Sequence, residues 1–176
     1  MQDLLGHAKD LAPSVVALRR DLHRWPELGL HTPRTRDAVL AALEGLPLDV
    51  TLHDTTSGVA ALLTGGRPGP TVLLRGDMDA LPLVEDTGEA CASEVHGVMH
   101  ACGHDGHTAM LAGAARLLAA HREELCGRVL FMFQPGEENG NRGALHMLEE
   151  GLLDVPPHAA DGSPSPVSAA YAIHLT

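Results

Sequence analysis

The chain has 176 residues, of which 44% are apolar, 20% charged and 2% aromatic. That length allows one buried core, built from Leu, Val and Ala, and the 19 Gly and 12 Pro call for many turns rather than a helical bundle. The formal net charge of -11 argues against nucleic acid and anionic membrane surfaces as partners, because phosphate binding needs clustered Lys and Arg.

The first predicted helix runs from about Pro13, a residue suited to a first turn, to Arg24, with Val15, Val16, Leu18 and Leu22 near helical spacing. Trp25-Pro26-Glu27 breaks it. Thr32-Pro33 starts a second helix, with Thr32 as N-cap and Val39, Leu40, Leu43 and Leu46 as its apolar stripe. Two short apolar runs, Val59 to Leu63 and Thr71 to Leu74, read as buried strands, and the Gly- and Pro-rich stretch from Gly65 to Pro70 joins them as a hairpin. A long helix is expected from Thr108 to about Leu125, and the strongest strand from Val129 to Phe133. A short helix from about Gly143 to Glu150 stops at Gly151, and a Pro-rich loop from Val155 to Pro166 leads to a last strand, Ala169 to Ile173. Strands alternating with helices indicate an α/β layered domain.

No apolar run approaches the ~18 residues of a membrane-spanning helix. Met1 to His7 lack the basic and long apolar regions of a secretory signal. Cys91, Cys102 and Cys126 form no disulfide framework, so a cytoplasmic protein is expected, in which a thiolate can function.

The densest chemistry lies from Met99 to His107, which holds His100, Cys102, His104, Asp105 and His107. Thiolate and imidazole are preferred ligands of zinc and related metals. One Gly separates Cys102 from His104, so in an extended segment both point the same way. The following helix start favours a thiolate at Cys102. The plainer reading is a scatter of surface histidines. At the end of the Val129 to Phe133 strand, Gln134-Pro135-Gly136 delivers Glu137 and Glu138 to the place where α/β sheets bind ligands. On an extended chain the two point in opposite directions, so one can bind metal while the other acts as general base; a solvated acidic turn is the alternative. Asp77 and Asp79 also follow a strand, where they can bind metal, orient a ligand imidazole or simply form an acidic loop. His174 follows the last strand as one more candidate ligand, and His23 is a weaker one.

These motifs closely resemble the metal-dependent amidohydrolases that include hippurate hydrolase, bacterial N-acyl-amino-acid amidohydrolases and plant auxin-conjugate hydrolases. That family sits within the wider aminoacylase and carboxypeptidase G-like metallopeptidases. The resemblance runs through Arg20 to Leu28, Leu74 to Pro82, His100 to His107, Phe133 to Glu138 and Ala172 to His174. It implies a zinc-peptidase-like layered domain with helices packed on a mixed β-sheet, and two divalent metal ions drawn from Zn, Mn, Co or Ni. Cys102 matches the ligand that bridges the two metals. His104, Glu138 and His174 match further ligands, Glu137 the general acid/base, and Asp79 the aspartate that supports the site. In the wider family a ligand His stands at the place of Asp77, so no metal role passes to Asp77.

The implied reaction is hydrolysis of the amide bond of small N-acyl amino acids. Family members run to about twice this length. Residues 1–176 therefore correspond to the N-terminal part of the catalytic domain, incomplete at its C-terminus and without the lid domain. The final metal-ligand His of the family lies in the part that would follow. Dimerisation in the family rests largely on the lid, which leaves a homodimer as an option for the full-length protein. Two other readings stay open: a metal-binding fragment without turnover, and a structural zinc protein, which needs about four closed Cys and His ligands.

Overall fold

The computed structural model describes residues 3–157, 162 and 164–175. Helix α1 spans Leu4–Arg24 and α2 spans Pro33–Leu43. Strands β1 (Leu48–Leu52), β2 (Val59–Thr64) and β3 (Arg67–Asp77) follow, then α3 (His104–Ala120), β4 (Cys126–Gln134), α4 (Gly143–Glu149) and β5 (Val167–Ala172). Short 3-10 turns occupy Arg122–Glu124 and Glu138–Gly140. Part of the predicted Val155 to Pro166 loop lies outside the described residues.

The strands form one mixed sheet in the order β1-β2-β4-β3-β5. β1 and β4 run antiparallel to β2, whereas β3 runs parallel to both β4 and β5. The fold class is thus the expected α/β one, but the predicted hairpin does not form. β2 and β3 reverse direction across Gly65 and Gly66, yet β4 is inserted between them and takes the ladder bonds of both. A Cβ on either glycine would lie 2.7 Å from main-chain oxygens of the segment entering β4, which is why the bare backbone is needed there.

Strand alternation sorts the core into two layers. Val59, Ala61 and Leu63 of β2 with Phe131 and Phe133 of β4 face Val39 and Leu43 of α2 and Leu111, Ala112 and Ala115 of α3. Ala60, Leu62, Leu130 and Met132 point to the opposite face, where Met147 of α4 and Leu152 cover them. The sheet is therefore buried on both sides at its centre.

Several element boundaries differ from expectation. α1 begins at Leu4, nine residues before Pro13, capped by the Asp3 carboxylate accepting the Gly6 N–H at 2.8 Å. α3 begins at His104 rather than Thr108 and ends at Ala120. Thr32 holds the N-cap position of α2 without making the capping bond. The Glu27 carboxylate does this work instead, accepting the N–H groups of Arg34 (3.2 Å) and Thr35 (2.8 Å). β1 was not expected, although Leu48, Val50 and Leu52 alternate with polar residues as strand residues do. Among the described residues no helix is long and apolar enough to cross a membrane.

Candidate metal centre

The parallel strands bring their C-terminal ends to one edge of the sheet. Asp77 at the end of β3 pairs with Gln134 at the end of β4, and Arg75 pairs with Ala172 at the end of β5. The chain leaving each strand carries acid or imidazole groups: Asp79 after β3, Glu137 and Glu138 after β4, His174 after β5. The first turn of α3 meets them. Gly103, at its N-cap, has φ 78, a left-handed conformation that Gly adopts without strain, and places Cys102 before the helix and His104 within it. The two side chains therefore converge through a turn and not along an extended segment.

His104 is the hub. Its Nδ1 lies 2.7 Å from the Asp79 carbonyl oxygen, which can only accept, so Nδ1 carries the proton. Its Nε2 then presents a lone pair that is buried and has no hydrogen-bond partner among the described residues. Around this atom stand Asp77 Oδ2 at 3.4 Å and Glu138 Oε1 at 3.9 Å. Cys102, His104 and His174 can each bring a donor atom within 4.8 Å of the others, as can His104, Glu137 and Glu138, so His104 joins both groups. Cys102 Sγ and His174 Nε2 are 3.2 Å apart. Asp79 stays outside these groups and accepts the backbone N–H groups of Glu137 (2.9 Å) and Glu138 (3.1 Å). Glu137 has αR backbone angles and Glu138 opens a 3-10 turn, so the expected extended alternation does not separate their roles.

The electrostatics are those of a cation site. Burial disfavours the charged form of His104, but Asp79 and Asp77 outweigh it and hold the imidazole above its ordinary pKa. Burial also works against the Asp79 carboxylate, yet His104 and the two backbone N–H groups keep it below the usual range. Burial, then the neighbouring Glu138, Glu137 and Asp77, push the Cys102 thiol up to about 11. Any help that the helix start gives a thiolate is thus outweighed by burial and the carboxylates; that charge needs a cation beside it. An orphaned buried imidazole nitrogen, a thiol and clustered carboxylates together fit divalent metal.

Asp77, to which no metal role was assigned, is already engaged. Its Oδ2 accepts from Arg75 Nη1 at 2.5 Å and its Oδ1 from His107 Nδ1 at 2.6 Å. Sequence reading missed His107 as a partner of this site. The i, i+3 spacing of His104 and His107 would have revealed it had the helix been started at His104. His23 lies elsewhere, with Nδ1 2.7 Å from Asp105 and Nε2 3.2 Å from Glu85, and with Arg19 it ties α1 to the first turn of α3.

Residues 73–176 match the family Peptidase_M20, described as peptidase family M20/M25/M40. The N-acyl-L-amino acid amidohydrolase of Geobacillus stearothermophilus is 41% identical over 145 residues, covering 82% of this chain and 39% of that protein. The IAA-amino acid hydrolase ILR1-like 4 of Arabidopsis thaliana is 40% identical over 172 residues, 98% of this chain and 36% of that one. The chain thus spans well under half the length of these relatives. Among solved structures, the YXEP protein of Bacillus subtilis, a dinuclear metal-binding peptidase of the M20 family, matches with a TM-score of 0.83 at 39% identity, covering 96% of this chain and 44% of that one. With the family pattern running from β3 to the last described residues, through every group gathered at the sheet edge, the chain belongs to the M20/M25/M40 peptidases.

Proposed function

We propose that this chain carries the metal centre of an amidohydrolase that cleaves the amide bond of N-acyl amino acids, hippurate-type compounds among them, and forms the N-terminal part of its catalytic domain. The observation that carries this reading is the buried Nε2 of His104, without a hydrogen-bond partner among the described residues, on a residue common to a Cys102–His174 group and a Glu137–Glu138 group. In this reading Cys102, His104, Glu138 and His174 would hold two divalent ions, Zn, Mn, Co or Ni. When bound, the ions supply Lewis acidity and lower the pKa of water toward neutrality. Glu137 takes the proton of the attacking water and passes it to the leaving amine. Asp79 keeps the Glu137–Glu138 turn in place through its two backbone hydrogen bonds. N-acyl amino acid substrates are supported by the relatives named for such activities.

The test is Glu137→Gln in the intact protein, assayed on N-acetyl and N-benzoyl amino acids with Zn or Mn. The turnover number should fall about 10²–10⁴-fold while metal content is kept. A turnover number near wild type would remove Glu137 from the role of base. A second reading, a metal-binding fragment without turnover, is favoured by the share of the relatives' length that the chain spans. Turnover by the 176-residue chain itself, supplied with Zn or Mn, would end that reading.

A further inference from the structure

His107 lies one helical turn from His104, is only 3% exposed, and has no part in the proposed chemistry. Its hydrogen bonds fix its tautomer. The backbone N–H of Leu175 donates to Nε2 at 2.8 Å, so that nitrogen carries the lone pair and Nδ1 carries the proton, which it donates to Asp77 at 2.6 Å. Both ring nitrogens are thereby committed. Although Asp77, His104 and His107 lie close enough together to suggest a metal group, His107 has no donor atom left for one.

These bonds continue a chain of contacts from the middle of the sheet. Gln134 of β4 accepts from Arg75 Nε at 2.8 Å, Arg75 Nη1 donates to Asp77, Asp77 accepts from His107, and His107 accepts from the main chain one residue past His174. That terminal stretch needs such an anchor. β5 ends at Ala172, and Ile173 is 71% and Leu175 45% exposed. The Leu175 side chain rests on the bare backbone of the α3 turn, where a Cβ at Gly106 would lie 2.7 Å from its Cδ1.

We propose that His107 is a positioning residue for His174: held by Asp77, it grips the Leu175 N–H and so sets the His174 imidazole beside Cys102. The proposal rests on His174 being a metal ligand.

The test measures metal affinity of the intact protein by competition with a chelator, so it does not depend on turnover. His107→Leu removes both hydrogen bonds and should weaken binding about 10–100-fold, the range of lost outer partners of metal ligands. His107→Gln, which restores an acceptor at the reach of Nε2, should recover most of that loss. Leu175→Pro deletes the donated N–H and leaves His107 intact. It should lose at least about 10-fold more affinity than Leu175→Ala, and it keeps the question decidable if His107→Leu does not fold. In a His174→Ala background, His107→Leu should change affinity by less than about twofold, because its effect runs through His174. Wild-type affinity in His107→Leu, or an undiminished loss in the His174→Ala background, would overturn the proposal. Wild-type affinity in His174→Ala itself would overturn the ligand reading first and the proposal with it.

Discussion

Asp79 spends both carboxylate oxygens on the backbone N–H groups of Glu137 and Glu138, and it is 1% exposed. Asp79→Asn replaces one acceptor by a donor and sets it against one of those N–H groups. A buried donor left without a partner costs about 1–3 kcal/mol, so the unfolding free energy of the metal-free protein should drop by that amount, read as a lower midpoint of chemical denaturation. An unchanged midpoint would mean that the turn does not depend on this carboxylate. The same residues show what a sequence reveals at this scale and what it hides. Residue types marked Cys102, His104, Glu137, Glu138 and His174 as candidates, and the family resemblance joined them into one chemical set. Their geometry was not legible, because it depends on backbone angles that side-chain identity does not fix: Gly103 at φ 78 and the αR conformation of Glu137 replace the extended segments that the spacing suggested. The Cys102 thiol was misjudged for a related reason. The helix start was visible in the sequence, but it is outweighed by burial and then by carboxylates that arrive from the turn after β4 and from β3.

Among the elements, those set by local pattern were legible and those set by distant partners were not. The apolar runs of β2 and β4 announce buried strands. Nothing near Gly65 announces that β4, more than sixty residues on, will part β2 from β3. Pro13 reads locally as a helix start, but α1 runs through it. The residue sits on an exposed face, where the Lys9 carbonyl that loses its N–H partner can turn to water, and packing against α3 holds the helix together, with Val15 seated on Gly113. The end of α4 shows a long-range tie that the sequence also hid. Glu150 accepts the N–H groups of Asp54 (2.8 Å) and Thr55 (3.0 Å) and the Thr55 hydroxyl, clamping the β1–β2 loop to the end of α4. The Thr55 hydroxyl is the largest influence on its carboxyl. Desolvation opposes it, the two N–H groups and His53 reinforce it, and the net pKa falls from 4.5 to about 2. A value lower in the folded state means that the contribution is complete above 4.5 and fades as pH falls toward about 2. Hydrogen-exchange protection of the Asp54 and Thr55 amides, corrected for intrinsic rates, should decline across that window. In Glu150→Gln it should already be low and stay flat. Wild-type protection that persists unchanged to pH 2 would remove the clamp.

For the molecule as a whole, the candidate metal centre is a junction. Its donors come from the turn before α3, from α3 itself, from the turn after β4 and from the stretch after β5, so elements far apart in sequence meet there. Without divalent ions, that junction gathers Asp77, Asp79, Glu137 and Glu138 around a single guanidinium among the described residues, Arg75 on Asp77, in a chain whose net charge is already -11. Their mutual repulsion works against closing the sheet edge, and bound divalent ions would reverse its sign. An ion that binds the folded state alone adds about 2.7 kcal/mol of stability at a free concentration one hundred times its Kd. For a domain of this size each kcal/mol moves Tm by roughly 2–4 °C. Saturating Zn or Mn should therefore raise the melting temperature of the chelator-stripped protein by about 5–10 °C. General screening of acidic surface predicts something different, since Mg at the same concentration would then do as well and His104→Ala would respond like wild type. With a thiolate and imidazoles among the donors, Mg should give little, because it prefers oxygen ligands. His104→Ala should lose most of the rise, because it removes the residue common to both donor groups. Equal shifts with Zn and Mg, or a full shift in His104→Ala, would mean that the carboxylates attract ions without forming a site.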